Sequence, residues 1–68
     1  MNNSGISKAM IKTLEMQEEA LFKMIDLMGI MRKSGCDLDS YTEEMHNARA
    51  KIHSARIAIT KKITEAKV

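Results

Sequence analysis

The feature that most constrains this chain is a strongly apolar stretch at residues 21–31. Eight of its eleven residues are apolar, and the other three, Lys23, Asp26 and Gly29, recur at every third position. On an α-helix, which turns about 100° per residue, these three fall in one narrow stripe and apolar side chains occupy the rest. One neighbouring helix cannot cover so much of the circumference. The stretch therefore predicts a helix with more than one packing partner.

The length of the chain, 68 residues, sets a second constraint. A single core in a domain shorter than about 70–80 residues seldom contributes more than about 3–5 kcal/mol, so such chains usually rely on a disulfide, a metal or another subunit. The one cysteine, Cys36, cannot form an internal disulfide, and no cluster of metal-ligand residues stands out. We expect no cofactor, and we expect a partner subunit to supply the missing stability.

Composition indicates a folded, helical and soluble protein. Apolar residues make up 44% of the chain and charged residues 29%, which is typical of a globular domain. There are no alternating β-branched runs that would predict strands, and no apolar run approaches the roughly 18 residues of a membrane span. The polar N-terminus lacks the layout of a signal peptide, so we expect a cytoplasmic location.

The first predicted helix covers residues 6–33 and follows a flexible segment at residues 1–5. Its apolar residues keep a spacing close to a heptad, with Gln17 as the one polar interruption. The predicted core positions of this helix are Met10, Leu14, Leu21, Met24, Met28 and Met31. Further apolar residues on both flanks widen the apolar arc to roughly 240°, whereas about 100° suffices for a helix that packs on one side only.

A turn is predicted just after the first helix. Arg32 and Lys33 complement the negative carbonyl end of a helix, and Gly35 can adopt the left-handed conformation that ends one. Asp37 and the capping-box pattern at residues 40–43 then predict a new helix start. Because the stop and start signals lie so close together, the sequence predicts an all-α, antiparallel two-helix hairpin that forms a single domain over residues 6–68.

The second predicted helix, residues 38–66, carries one narrow apolar stripe. Its predicted core positions are Leu38, Tyr41, Met45, Ala48, Ile52, Ala55 and Ile59. A stripe of this width needs only one neighbour. The second helix therefore fits the role of an outer layer, and the first helix fits the role of a middle layer between it and another chain.

The predicted partner-binding residues lie on the flanks of the first helix. They are Ile11, Phe22, Ile25, Leu27 and Ile30. The methionines of this helix favour the same interpretation, because flexible thioethers are common at adaptable binding surfaces. Without a partner, the same surface is expected to drive self-association into a two-fold dimer with four helices.

Residues that carry chemistry are few, and none forms a recognisable catalytic site. Cys36 lies in the turn, far in sequence from both histidines, so no nucleophile–base pair is indicated. His46 and His53 are seven residues apart, about 10 Å along a helix, which is too far to share one metal ion. Glu43 and His46 match only half of a di-iron motif. We expect no enzymatic activity.

Basic residues gather in the second half of the second helix. The candidate nucleic-acid-binding side chains are Arg49, Arg56, Lys61 and Lys62. The same arrangement also stabilises a helix, because acids at its positive start and bases at its negative end each contribute about 0.3–1 kcal/mol. A homodimeric nucleic-acid-binding hairpin therefore stays an alternative function. A secreted needle or filament subunit, also a small helical hairpin, is the other.

The turn carries a resemblance to a known family. Residues 31–41 read MRKSGCDLDSY, and the second helix later continues with ARIAI at residues 55–59. This pattern, a basic residue and glycine at the turn, then an acidic residue and a tyrosine opening the next helix, resembles the small co-chaperones of bacterial type III secretion needle subunits (the YscE-like family). The resemblance spans residues 10–64. It departs from the family at Ser34, where an extra glycine is common, and at Cys36.

The resemblance implies a specific partner. Members of this family are cytoplasmic helical hairpins that pair with a larger chaperone of tetratricopeptide-like helices. The pair keeps the needle subunit unpolymerised before export, and the hairpin mainly stabilises the larger chaperone. On this basis the expected function is that of a non-enzymatic co-chaperone, with the larger chaperone as direct partner and the needle subunit as indirect partner.

Overall fold

The computed structural model describes residues 3–66 and confirms the all-α hairpin. Helix α1 spans Asn3–Lys33 and helix α2 spans Asp39–Ala66. The two helices pack along their length into one layer that measures 54 × 17 × 11 Å. Helix α1 begins three residues before its predicted start at Ile6, so residues 3–5, predicted to be flexible, are helical. The rest of the predicted flexible segment, Met1 and Asn2, lies outside the described residues.

Helix α1 ends where the sequence predicts, because Gly35 provides the required backbone conformation. Gly35 has a φ of 96°, in the left-handed region that favours glycine. The amide of Cys36 donates to the carbonyl of Met31 at 2.9 Å, and the amide of Gly35 donates to the carbonyl of Arg32 at 3.0 Å. These two bonds form a Schellman motif, which satisfies carbonyls that the end of the helix leaves free.

Helix α2 begins on a side-chain cap from Asp37. The Oδ1 atom of Asp37 accepts from the amide of Asp39 at 2.9 Å, and the carbonyl of Leu38 accepts from the amide of Thr42 at 2.9 Å. The predicted capping box at residues 40–43 lies inside the helix instead. Arg32 and Asp39 approach to 3.7 Å across the turn, so the two helix ends also attract each other through opposite charges.

The side chains between the helices form the hairpin seam, a stripe of half-buried positions with alternating three- and four-residue spacing. On α1 the seam contains Ser7, Ile11, Leu14, Glu18, Leu21, Ile25 and Met28. It continues with Leu38, just before α2, and on α2 it contains Thr42, Met45, Arg49, Ile52, Arg56, Ile59 and Ile63. Among residues 5–66, no side chain is fully buried. A single layer of two helices has no interior, so the hairpin seam is its entire core.

The hairpin seam is rotated relative to the predicted core, and this corrects several predicted positions. Half-buried positions on α1 include Ile11 and Ile25, which were predicted to bind a partner. Predicted core residues that are exposed instead are Met10, Met24, Met31, Tyr41 and Ala55. The physical reason is that Glu18, Arg49 and Arg56 enter the seam as paired or stacked charges, whereas a prediction from apolar spacing assigns every charge to the surface.

Candidate interaction surface

A network of polar side chains, Glu18, His53 and Arg56, joins the two helices on one side of the hairpin. The Oε1 atom of Glu18 lies 2.8 Å from Nδ1 of His53, and the Nε atom of Arg56 donates to Oε2 of Glu18. The Glu18 side chain is only 13% exposed, and that of Arg56 is 26% exposed. A charge-assisted contact this sheltered from water is stronger than an open surface pair, and it links α1 to α2.

The charges of this network reinforce each other. The hydrogen bond from Arg56, followed by the one from His53, lowers the pKa of Glu18 below its ordinary value of 4.5. The same contact with Glu18 raises the pKa of Arg56. Glu18 and Arg56 are therefore both ionised at neutral pH.

Phe22 and Arg49 make the second contact on this side. The guanidinium of Arg49 lies 4.2 Å from the centre of the Phe22 ring, in the geometry of a cation–π interaction. The Nε atom of Arg49 is buried there without a hydrogen-bond partner. Phe22, predicted to bind a partner, is 49% exposed, and one face of its ring is already in contact with Arg49 of α2.

The hairpin has two sides, and a residue's position relative to the seam determines the side on which it lies. Phe22 follows a seam position of α1 by one residue, and His53 follows a seam position of α2 by one residue. One residue corresponds to about 100° of rotation on a helix. Because the helices are antiparallel, residues that follow the seam on both helices share one side, which we call the polar side. Residues that precede the seam share the other.

The opposite side carries a long stripe on α1 that has no charge. Together with the uncharged residues beside it on α2, this stripe forms a surface that we call the methionine face. Its positions on α1 are Ile6, Met10, Thr13, Gln17, Ala20, Met24, Leu27 and Met31. Each of them directly precedes a position of the seam series, which continues with the same spacing to residue 32, and all of them are exposed. Its positions on α2 are Tyr41, Ala48 and Ala55, of which Ala48 is half-buried. The spacing is that of a heptad seam with no partner helix on it.

The exposure of the methionine face is large for apolar side chains. Met24 is 48% exposed, Leu27 is 57% exposed and Tyr41 is 56% exposed. Single exposed apolar residues are normal on proteins, but a stripe of six of them on α1, interrupted by Thr13 and Gln17, indicates a site of interaction. On α2 the residues that precede the seam also include three charged side chains, Glu44, Lys51 and Lys62. The apolar stripe of α1 with charged residues beside it on α2 is compatible with a protein interface, which combines an apolar centre with polar surroundings.

The methionine face contains a shallow groove at the open end of the hairpin. The groove has a volume of about 440 Å³, and its lining residues are Ile6, Ala9, Met10, Thr13, Leu14 and Ile59. Side chains from both helices line it, so this part of the surface exists only when the hairpin is folded. Flexible methionine side chains can adapt such a groove to the shape of an inserted apolar side chain.

The five predicted partner-binding residues do not share one surface. Ile11 and Ile25 lie in the hairpin seam, and Phe22 lies on the polar side. Leu27 belongs to the methionine face, and Ile30, 59% exposed, lies beside it on the side of α1 that points away from α2. Met10, Met24, Met31 and Tyr41 also belong to this surface. The sequence assigns them to the hairpin core, although the methionines of α1 as a group favour a binding surface. A second heptad stripe, one residue before the first, is the signal that finds them.

Other candidate sites remain isolated side chains. Cys36 is a free, half-buried thiol in the turn, and His46 is exposed on α2. Within residues 3–66, no three histidine, cysteine or acidic side chains come together as a metal would require. Neither described helix has the length and apolar content needed to cross a membrane. The methionine face is therefore the surface that most distinguishes the molecule.

Comparisons with protein-family models, with curated proteins and with solved structures return no match to this chain.

Proposed function

We propose that this chain is a non-enzymatic co-chaperone of a bacterial type III secretion system that acts in the cytoplasm. In this proposal the methionine face packs against helices of a larger tetratricopeptide-like chaperone and stabilises it. The larger chaperone in turn holds the needle subunit unpolymerised before export. The hairpin itself supplies a rigid, elongated apolar surface and performs no chemistry.

The observation that carries the proposal is the uncharged stripe on α1 beside a hairpin that has no fully buried residue among those described. A two-helix layer of this kind gains stability when another chain covers its open face, because apolar area removed from water contributes about 25 cal/mol per Å². The local resemblance of the turn at residues 31–41 supplies the identity of the partner. The physical surface and the resemblance support the same kind of function, which is association.

The contacts on the polar side favour this proposal over binding to nucleic acid. Two of the four basic residues considered for phosphate binding already have partners within the chain. Arg56 donates to Glu18, and Arg49 stacks on Phe22. Phosphate contact by Arg56 has to compete with a carboxylate that is already in place, which weakens the electrostatic attraction on which nucleic-acid binding depends.

Co-purification tests the proposal. The tagged hairpin is expressed together with the larger chaperone and the needle subunit of a type III secretion system from the same bacterium. We expect a stable complex from the unmodified chain, and loss of that complex with Leu27→Glu, because a carboxylate on the methionine face is costly to bury.

The matched control is Ile57→Glu, since Ile57 is 53% exposed, close to the 57% of Leu27, but follows the hairpin seam and so lies on the polar side. This variant should keep the complex. Failure of the unmodified chain to bind the chaperone, or equal loss of binding with both variants, would contradict the proposal.

A further inference from the structure

The isolated chain exposes more surface than its size requires. Its accessible surface is 5485 Å², and its mass is 7.7 kDa. A folded monomer of this mass typically exposes about 4,300 Å², so the excess is about 1,200 Å². A standard protein interface buries about 800 Å² on each partner. The excess on one hairpin is therefore enough for one full interface.

The chemistry of the methionine face restricts what can cover it. The stripe on α1 contains no charge over eight successive positions, so a charged partner gains no ion pair there and pays for desolvation. From Ile6 to Met31 the stripe is about 38 Å long, at 1.5 Å per residue. A matching occupant needs an equally long, straight and uncharged apolar stripe. A second copy of this chain provides such a stripe in its own methionine face.

We propose that the chain alone forms a two-fold dimer in which the methionine faces of two copies pack together. Two helical layers then become a four-helix bundle, in which the methionine faces and the hairpin seams enclose one common core. A two-fold arrangement uses the same patch on both copies, so it closes at two subunits and leaves no apolar stripe free for further growth.

This dimer is independent of the proposed co-chaperone function, but the two use one surface. Packing of a second copy and packing of a larger partner on the methionine face exclude each other. The dimer therefore has to dissociate before the hairpin joins a complex through that face. Failure of the dimer leaves partner binding possible, and failure of partner binding leaves the dimer possible.

Sedimentation equilibrium of the isolated full chain, from about 1 µM to about 1 mM, tests the dimer directly. We expect a reversible monomer–dimer equilibrium. Leu27→Glu should weaken it by at least about 100-fold, because a carboxylate would be buried without a partner. Ile57→Glu should leave the dissociation constant within about two-fold of its original value, because a surface substitution away from an interface has little effect.

Hydroxyl-radical footprinting of the unmodified chain, read by mass spectrometry, gives a second measurement that needs no variant. Met24 and Met31 lie on the methionine face, whereas Met16, 58% exposed, points away from α2 on the far side of α1. As the concentration rises through the dimer transition, oxidation of Met24 and Met31 should fall several-fold and oxidation of Met16 should not.

Four outcomes would contradict the dimer. They are a monomer over the whole concentration range, assembly that does not stop at two copies, equal weakening by both variants, and equal protection of all three methionines.

Discussion

The two sides of α1 differ although their residues alternate along the same helix. One residue before each seam position the helix presents the methionine face, which has no charge. One residue after each seam position it presents Lys8, Lys12, Glu15, Glu19, Phe22, Asp26 and Gly29. The polar side makes its contacts within the chain, through Phe22 and the neighbouring Glu18, and the methionine face makes few. The comparison teaches that the polar side adds contacts between the helices to those of the hairpin seam, whereas the methionine face is available for another chain.

The largest expected effect is the difference in stability between a substitution in the hairpin seam and one on the methionine face. Leu21→Asp places a carboxylate between the helices, where it should cost about 3 kcal/mol or more and unfold a hairpin whose total stability is only about 3–5 kcal/mol. Met24→Asp, three residues later on the methionine face, should keep the helical circular dichroism of the unmodified chain at the same dilute concentration. Equal loss of helicity in both variants would break the distinction between the two surfaces.

A smaller effect is expected from the charged network of the polar side. Glu18→Gln keeps the shape of the side chain but removes its charge, so the midpoint of thermal unfolding at pH 7 should fall. Ile57→Gln, a change at an exposed position on the same side, serves as the control and should leave the midpoint nearly unchanged. Equal midpoints for Glu18→Gln and the unmodified chain would show that the network does not stabilise the hairpin.

The same network predicts how stability depends on pH. Because the folded state lowers the pKa of Glu18 below 4.5, the ionised carboxylate stabilises the hairpin at pH values above 4.5. This contribution is lost as the pH falls from 4.5 through the lower pKa of the folded state. The difference in thermal midpoint between the unmodified chain and Glu18→Gln should therefore shrink in this acidic range. A difference that stays constant to the lowest pH would contradict the lowered pKa.

A stabilising change on the polar side sharpens the comparison further. Gly29 follows the seam position Met28, and an added Cβ there meets no atom within 4 Å. Gly29→Ala should stabilise the hairpin by about 0.5–1 kcal/mol, since alanine is the better helix former. Urea unfolding at fixed protein concentration measures this gain. Because Gly29 lies outside the methionine face, self-association in sedimentation should change only slightly. A gain in self-association that exceeds the gain in hairpin stability would place Gly29 in an interface.

A similarly small effect is expected from the stacking of Arg49 on Phe22. Phe22→Leu keeps an apolar side chain but removes the ring, so it should cost about 0.5–1 kcal/mol in urea unfolding. In a variant that already carries Arg49→Gln, the same substitution should cost less, because the cation is gone. Equal costs in the two backgrounds would show that the ring stabilises the hairpin by its apolar area alone.

The sequence predicts the local structure of this hairpin better than its packing. Gly35 and Asp37 act through neighbouring backbone groups, so their part in the turn follows from residue type and position alone. The position of the seam does not follow from residue type in this way, because the apolar spacing of α1 allows two adjacent stripes that are offset by one residue. The sequence favours the stripe with Met24, which contains no charge, and the structure uses the stripe with Ile25 and Glu18.

The same ambiguity affects the candidate surface. Leu27, which the sequence predicts to bind a partner, lies on the methionine face. Met24 and Met31 lie there too, although the sequence assigns them to the hairpin core and favours a binding surface only for the methionines as a group. An apolar stripe has the same pattern whether it faces a helix of its own chain or a different chain. Periodicity therefore predicts that an apolar surface is buried in a contact, but it does not identify the chain that makes the contact.

Residue order along the chain thus determines two long helices, a tight turn between them and more apolar surface on α1 than one neighbour can cover. The side of α1 that meets α2 depends on contacts between residues far apart in sequence. Glu18 lies 38 residues from Arg56, and the rotation seen in the structure brings the two side chains together in the seam. That rotation cannot be read from the spacing of either helix, because the stability of a charge sheltered from water depends on whether an opposite charge reaches it in space.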